Sequence, residues 1–203
     1  LNPRGWTRRR AIGGGALLLL ISGCAGLQKS RTPDSLQPWP ERLAALQAMD
    51  RFELDGRVGA SDGKTGFSAG LRWRQHAGTA SIDLTAPLGV GAAHIEQSAD
   101  ALQLRTSQGE ILDGDAAGSA LSDALGFDPP LRSLSFWLRG ASDPALPAAQ
   151  TLNADQRLSH LEQGGWEVEF PDYMHVQQQW LPAHLSVTRG ALRLRLVINS
   201  WRL

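Results

Sequence analysis

The sequence predicts a mainly β domain, a barrel or strongly curved antiparallel sheet, with helices placed to cover one opening. Two observations carry this. Many short runs alternate apolar and polar residues with period two, and between Gly118 and Gly140 the period changes to a helical one. A third, the lack of any fixed-period repeat or coiled-coil heptad, leaves one domain after the N-terminal segment.

That N-terminal segment opens with Arg4, Arg8, Arg9 and Arg10, followed by eleven uncharged residues, Ala11 to Ile21. A helix that spans a bilayer needs about 20 apolar residues. A basic region, a short apolar core and the small residues Ser22 and Gly23 therefore predict a secretory leader, residues 1–23, cut before Cys24. Thr7-Arg8-Arg9-Arg10 also fits a twin-arginine signal, a different export route to a similar destination. Ile21-Ser22-Gly23-Cys24, with Leu20 before it, resembles the bacterial lipobox. That likeness implies a diacylglyceryl group on the Cys24 thiol and a further acyl chain on its freed amine, a covalent anchor in place of any cofactor. One chain anchors a protein marginally, whereas two or more hold it on a membrane. Ala25 and Gly26 follow the cysteine without an aspartate, which resembles lipoproteins sorted to the outer membrane. Residues 24–38, with Ser, Thr, Gln and Pro and no periodicity, are expected to be a lipidated flexible tether, and 39–203 the folded body.

The body starts with Trp39, Leu43, Leu46 and Met49 at helical spacing, Pro40 standing in the first turn. Alternation follows. Phe52, Leu54, Gly56, Val58 and Ala60 share one side of a first strand, and Phe67, Ala69, Leu71 and Trp73 one side of a second. Ser61-Asp62-Gly63-Lys64 between them has hairpin chemistry. Further strands are expected at 80–84, 93–97, 102–106 and 110–112. Leu121 and Leu125 then lie one helical turn apart, and after Pro129-Pro130 the residues Leu131, Leu134 and Leu138 form a stripe beside Trp137, stopped near Gly140. A Pro- and Ala-rich loop at 143–149 returns the chain to strands at 157–163, 166–170, 185–187 and 192–198, with turns at Gly164-Gly165 and Arg189-Gly190.

Charge and cysteine content narrow the function. The 203 residues hold 20 Lys+Arg and 20 Asp+Glu, and setting the four leading arginines aside leaves 16 basic against 20 acidic groups, a charge of about −4. Such a chain has no field to concentrate on phosphate backbones, so nucleic acid is not expected as a partner. The single cysteine, Cys24, excludes an internal disulfide and a thiolate-rich zinc site. Gly59-Ala60-Ser61-Asp62-Gly63 has the spacing of a nucleophile elbow, but that device needs a helix after it, and here a strand follows. His76, His94, His160, His175 and His184 lack ligand spacing, and Asp113-Gly114-Asp115 reads as a polar turn. Thr85-Ala86-Pro87-Leu88-Gly89-Val90-Gly91 is a turn with an apolar tip. Leu88 either folds back onto the core or projects as a prong able to enter lipid.

Taken together, the lipobox at Cys24, the Pro87-Leu88-Gly89 loop, the helix within residues 130–140 and the ending Asn199-Ser200-Trp201 resemble the LolB family, with support from residues 166–173, Pro182-Ala183 and 192–198. Members of that family are outer-membrane receptors that accept lipoproteins from the periplasmic carrier LolA. The resemblance implies an incomplete, half-open antiparallel β-barrel of about eleven strands with a short α-helical lid, at about 118–140. It also implies a hydrophobic cavity for acyl chains, and a protruding Leu88 that helps release cargo into the membrane. Non-enzymatic action, a LolA-like carrier, triacylated lipoprotein cargo, outer-membrane lipids, a monomeric state and a lipid-anchored position on the periplasmic face follow from the same likeness.

The physics of that role is demanding. Triacylated cargo carries roughly 45 methylenes, and exposing them at about 0.8 kcal/mol each costs on the order of 35 kcal/mol. Free diffusion is excluded, so each carrier must offer a dry pocket. Candidates to line it are Phe52 and Leu54 of the first strand, Phe67, Leu71 and Trp73 of the second, and Ile82, Leu84, Leu102 and Leu104 of the next ones. Leu134, Trp137 and Leu138 of the helix and Trp166, Val168, Leu194 and Leu196 of the late strands complete the set. Each serves equally well as ordinary core. The alternatives are a lipid-anchored structural or assembly scaffold without acyl-chain transfer, and a lipid-anchored hydrolase using Ser61.

Overall fold

A computed structural model of the chain describes residues 37–86 and 91–203. The expected leader, Cys24, the expected tether up to residue 36 and the loop residues Pro87, Leu88 and Gly89 lie outside the described residues. Helix α1 (Trp39–Gln47) leads into β1 (Arg51–Ser61), β2 (Gly66–His76), β3 (Thr79–Thr85), β4 (Ala92–Gln97), β5 (Leu102–Arg105) and β6 (Ile111–Asp113). Two helices follow, α2 (Gly114–Leu125) and α3 (Leu131–Leu138). The strands resume as β7 (Ala148–Leu152), β8 (Leu158–Gln163), β9 (Trp166–Glu169), β10 (Tyr173–Val176), β11 (Gln179–Pro182), β12 (His184–Arg189) and β13 (Leu192–Arg202).

Eleven of these strands form one antiparallel sheet in the order β6-β5-β4-β3-β2-β1-β13-β12-β9-β8-β7, and β10 and β11 pair by themselves. The sheet is open, with β6 and β7 at its edges. Its first half is a meander from β1 to β6, and β13 closes the second half against β1 in the middle, Leu54 opposite Trp201. This topology sets the position of the helices. Residues 114–147 link one edge strand to the other, so the connection carrying α2 and α3 must cross the width of the sheet, and it crosses the apolar face.

The alternation read from the sequence becomes register. Leu54 stands opposite Trp73, Trp73 opposite Ile82, Ile82 opposite Ile95 and Ile95 opposite Leu104, an apolar row running across five strands. The other face carries charge, with Arg72 2.7 Å from Asp55 and Arg74 2.8 Å from Asp83. Such exposed pairs contribute little to stability, about 0–1 kcal/mol each. Their role is to keep that face wet. At Gly56 the pairing with β13 slips by one residue, and a Cβ there would lie 2.3 Å from the Val197 carbonyl oxygen, so only glycine fits.

Four differences from the sequence reading stand out. The strand expected at 166–170 ends at Glu169, just before Pro171, which has no N–H to give a ladder, and a separate strand, β10, begins at Tyr173. The β10–β11 hairpin turns through Gln177 at φ 54°, a conformation no glycine announced. The loop at 143–149 already enters β7 at Ala148, an edge strand paired along β8. Both helices were expected, and α2 starts earlier than Gly118, from the Asp113-Gly114-Asp115 segment.

Candidate functional site

The apolar face of the sheet is the candidate site. By register, Phe52, Leu54, Phe67, Leu71, Trp73, Ile82, Leu84, Leu102, Leu104, Trp166, Val168, Leu194 and Leu196 all point to it, and Leu134, Trp137 and Leu138 meet it from α3. Trp137, Leu138 and Val168 are completely buried, whereas Phe67, Leu84 and Leu102 are only partly covered. The same face includes residues not among the lining candidates, such as Ile95, Leu161, Leu185 and Val187, and Leu121 of α2 is buried as well. A side chain with no exposure borders no water-sized void, so the middle of this face is filled by side chains.

Helix α3 contributes Leu134, Trp137 and Leu138 to this filling, and a polar network holds it in place. The Trp137 indole donates to Oε1 of buried Gln163 at 3.0 Å, which also accepts the Asp143 N–H at 2.9 Å. The Gln163 amide donates to the carbonyls of Asp143 and Leu146. Asp143, itself buried, accepts from Ser133 of α3 at 3.1 Å and from the Ala145 N–H. Removing one member would leave buried partners unsatisfied. At the other end of the helix, buried Arg139 donates to the Ser135, Gln47 and Met49 carbonyls and packs its guanidinium over Phe136 and Phe52, 4.5 and 5.6 Å from the ring centres. Burial draws its pKa down to about 10, so it is a cation at neutral pH. With Trp137 also 6.4 Å from the Trp166 ring, α3 spans the face from β1 to the β8–β9 turn.

Polar residues in this network could have been suspected from one signal. Gln163 follows Leu161 at i+2, an inward position, where an amide needs partners. Asp143 and Ser133 carried no such mark.

Helix α2 is held differently. Its buried residues are Ala117 and Leu121, it lies against β5 and β6, and among the described residues no side-chain hydrogen bond or ion pair ties it to the sheet. Glycines in the left-handed region flank it, Gly114 at φ 54° and Gly126 at φ 78°. Between its C-terminal turn, the β1–β2 hairpin and Leu192 lies a hollow of about 270 Å³. A second hollow, of about 240 Å³, lies between α3 and the β2–β3 and β4–β5 turns. A larger groove, about 760 Å³, runs beside Arg72, Asp83, His94 and Arg105. Pockets for one drug-sized ligand measure about 300–1,000 Å³. Neither of the two smaller hollows accommodates three acyl chains while α2 and α3 stay where they are.

Other candidate chemistry is accounted for locally. Ser61 donates its hydroxyl to the Thr65 carbonyl at 2.9 Å and accepts the Gly63 N–H, and β2 follows it. Asp62 caps the same turn by accepting the Lys64 and Thr65 N–H groups, which hold its carboxyl below the usual range. His94 sits between Asp83 and Glu96, and His184 beside Asp172. No cluster of three or more His, Cys, Asp or Glu side chains that could hold a metal occurs among the described residues. The Ala86 N–H donates to the Gly91 carbonyl at 3.0 Å, extending the pairing of β3 with β4. No helix among the described residues is long and apolar enough to cross a membrane.

Known proteins share this design. Among solved structures, a LolA superfamily protein from Nitrosomonas europaea superposes with a TM-score of 0.52 over 79% of this chain and 93% of its own. A DUF1329 family protein from Desulfovibrio piger superposes with a TM-score of 0.53 over 81% and 90%. Both are 8% identical to this chain and establish the fold: one large open antiparallel sheet with helices on it. Sequence relatives are nearer. The outer-membrane lipoprotein LolB of Nitrosococcus oceani is 35% identical over 92% of this chain and 94% of its own length, and that of Pseudomonas aeruginosa 32% identical over 96% and 97%. The family model described as outer membrane lipoprotein LolB matches residues 50–201, from the start of β1 to the end of β13. An open sheet with one covered apolar face and relatives matching along almost its whole length lead to one conclusion: the chain belongs to the LolB family of outer-membrane lipoproteins.

Proposed function

We propose that the chain is an outer-membrane acceptor, anchored through acyl groups on Cys24 at the periplasmic face. It takes lipoproteins from a LolA-type carrier and inserts them into the membrane, without catalysis and without a further cofactor. The observation that carries this reading is the apolar face that runs from strand to strand across the sheet and is covered in large part by helices. Two sheets lock by interdigitating along their length, whereas a helix can leave a face and expose a row of Leu, Ile and Trp side chains to a ligand. The acyl cavity is this face with its cover displaced.

No energy source is needed in such a transfer, provided the acceptor binds the chains better than the donor does. The apolar loop then serves delivery. Leu88 at the tip enters the bilayer, and Pro87 and Gly89 shape the turn that presents it. To test this, the lipid-modified chain in vesicles is mixed with LolA-type carrier loaded with a dye-labelled triacylated lipoprotein. Cargo is expected to leave the carrier and reach the vesicles. Cargo that stays on the carrier, together with stable capture of the chain by a membrane-protein complex, favours a scaffold instead. Leu88→Glu is expected to spare uptake from the carrier and to cut delivery to vesicles, because a carboxylate enters hydrocarbon unfavourably, at a cost of about 3 kcal/mol. Equal loss of both steps would make the loop merely structural.

A further inference from the structure

We propose that acyl chains reach the apolar face beneath α2, through the hollow between its C-terminal turn and the β1–β2 hairpin, while α3 stays in place as a fixed wall. The proposal deepens the acyl-handling reading above and rests on it.

Three observations point to this place. First, the hollow leads onto the apolar face. Its floor includes Ala60, whose partners across the strands are Phe67 and Leu194. Phe67, Leu125 and Leu192 are only partly buried around it, so an incoming methylene chain finds apolar surface that is not yet covered. Asp62 and Asp123 form a polar rim, which keeps the opening wet until a chain arrives.

Second, the two helices differ in what must break when they move. Lifting α3 would strip partners from Gln163, Asp143 and the Trp137 indole and expose a buried guanidinium. Each buried donor or acceptor left unmade costs about 1–3 kcal/mol. Lifting α2 uncovers Ala117 and Leu121 and frees the partly covered Ala120 and Leu125, but it breaks no side-chain hydrogen bond among the described residues. Third, α2 is bounded at both ends by glycines at positive φ, Gly114 and Gly126, positions able to absorb a change in backbone direction. Of the two helices α2 buries fewer side chains, two against four, and local opening favours segments with few buried contacts.

The experiment ties each helix in turn. In the full chain carrying Cys24→Ala, so that the introduced pair are the sole thiols, Thr65→Cys is combined with Ala124→Cys across the α2 hollow. Ala99→Cys is combined with Ser135→Cys across the hollow at α3. A short, reducible bifunctional thiol reagent closes either pair, and binding of a dye-labelled triacylated lipopeptide is followed before and after reduction. The α2 tie is expected to slow uptake about tenfold or more, reversibly, and the α3 tie to change it less than about twofold. Blockage by the α3 tie alone, equal blockage by both, or none by either overturns the proposal. If the untied chain takes up no lipopeptide, the acyl-handling reading fails. Hydrogen exchange then decides the helices: α2 amides are expected to exchange at least about tenfold faster than those of α3, and equal rates overturn the assignment.

Discussion

Helices α2 and α3 are neighbours in the chain and lie against one sheet, yet they are held by different forces. The shorter one, eight residues, buries Ser133, Leu134, Trp137 and Leu138, and the longer one, twelve residues, buries Ala117 and Leu121. Length therefore does not measure attachment. What differs is that α3 combines large apolar side chains with satisfied buried polar groups, which fix one geometry, whereas α2 is held by apolar contacts alone, which are not directional.

Four substitutions sharpen or break that contrast. The largest effect is expected from Trp137→Ala, which empties a fully buried site and leaves Gln163 without its indole donor. A loss of about 3–5 kcal/mol should appear as a lower urea midpoint. A loss below about 1 kcal/mol would erase the distinction between the helices. Gln163→Leu keeps the volume and removes the hub of the network, so about 2–3 kcal/mol should be lost, with faster amide exchange at residues 143–146. Leu121→Ala on α2 should cost about 2 kcal/mol in the same unfolding measurement. Its exchange signature should be confined to α2, and acceleration in α3 as well would show the helices to be one unit. Smallest is Gly126→Ala, where a side chain at φ 78° costs about 1 kcal/mol. It should fray the last turn of α2 without lowering the protection of Trp137.

The apolar face itself was legible in the sequence. Every lining candidate from Phe52 to Leu196 falls on one side of the described sheet or on the inward side of α3, because alternation in a strand assigns a face with no knowledge of the neighbour. The β10–β11 hairpin was not legible, since Tyr173, Met174, His175 and Val176 show no such alternation. Nor was the anchoring of α3. Its partners lie 26 residues away in the case of Gln163 and 90 in the case of Met49. Neither spacing leaves a periodic trace.

The order of residues was enough to place most strands and the side each side chain takes, since these depend on neighbours two to four positions apart. Folding alone supplied the rest: that β6 and β7 are opposite edges, that the chain between them crosses the apolar face, and that α3 is bolted where α2 is not. These depend on which distant strands pair and on which buried polar groups find one another. Such encounters are selected by the packing of the whole sheet rather than by any local preference.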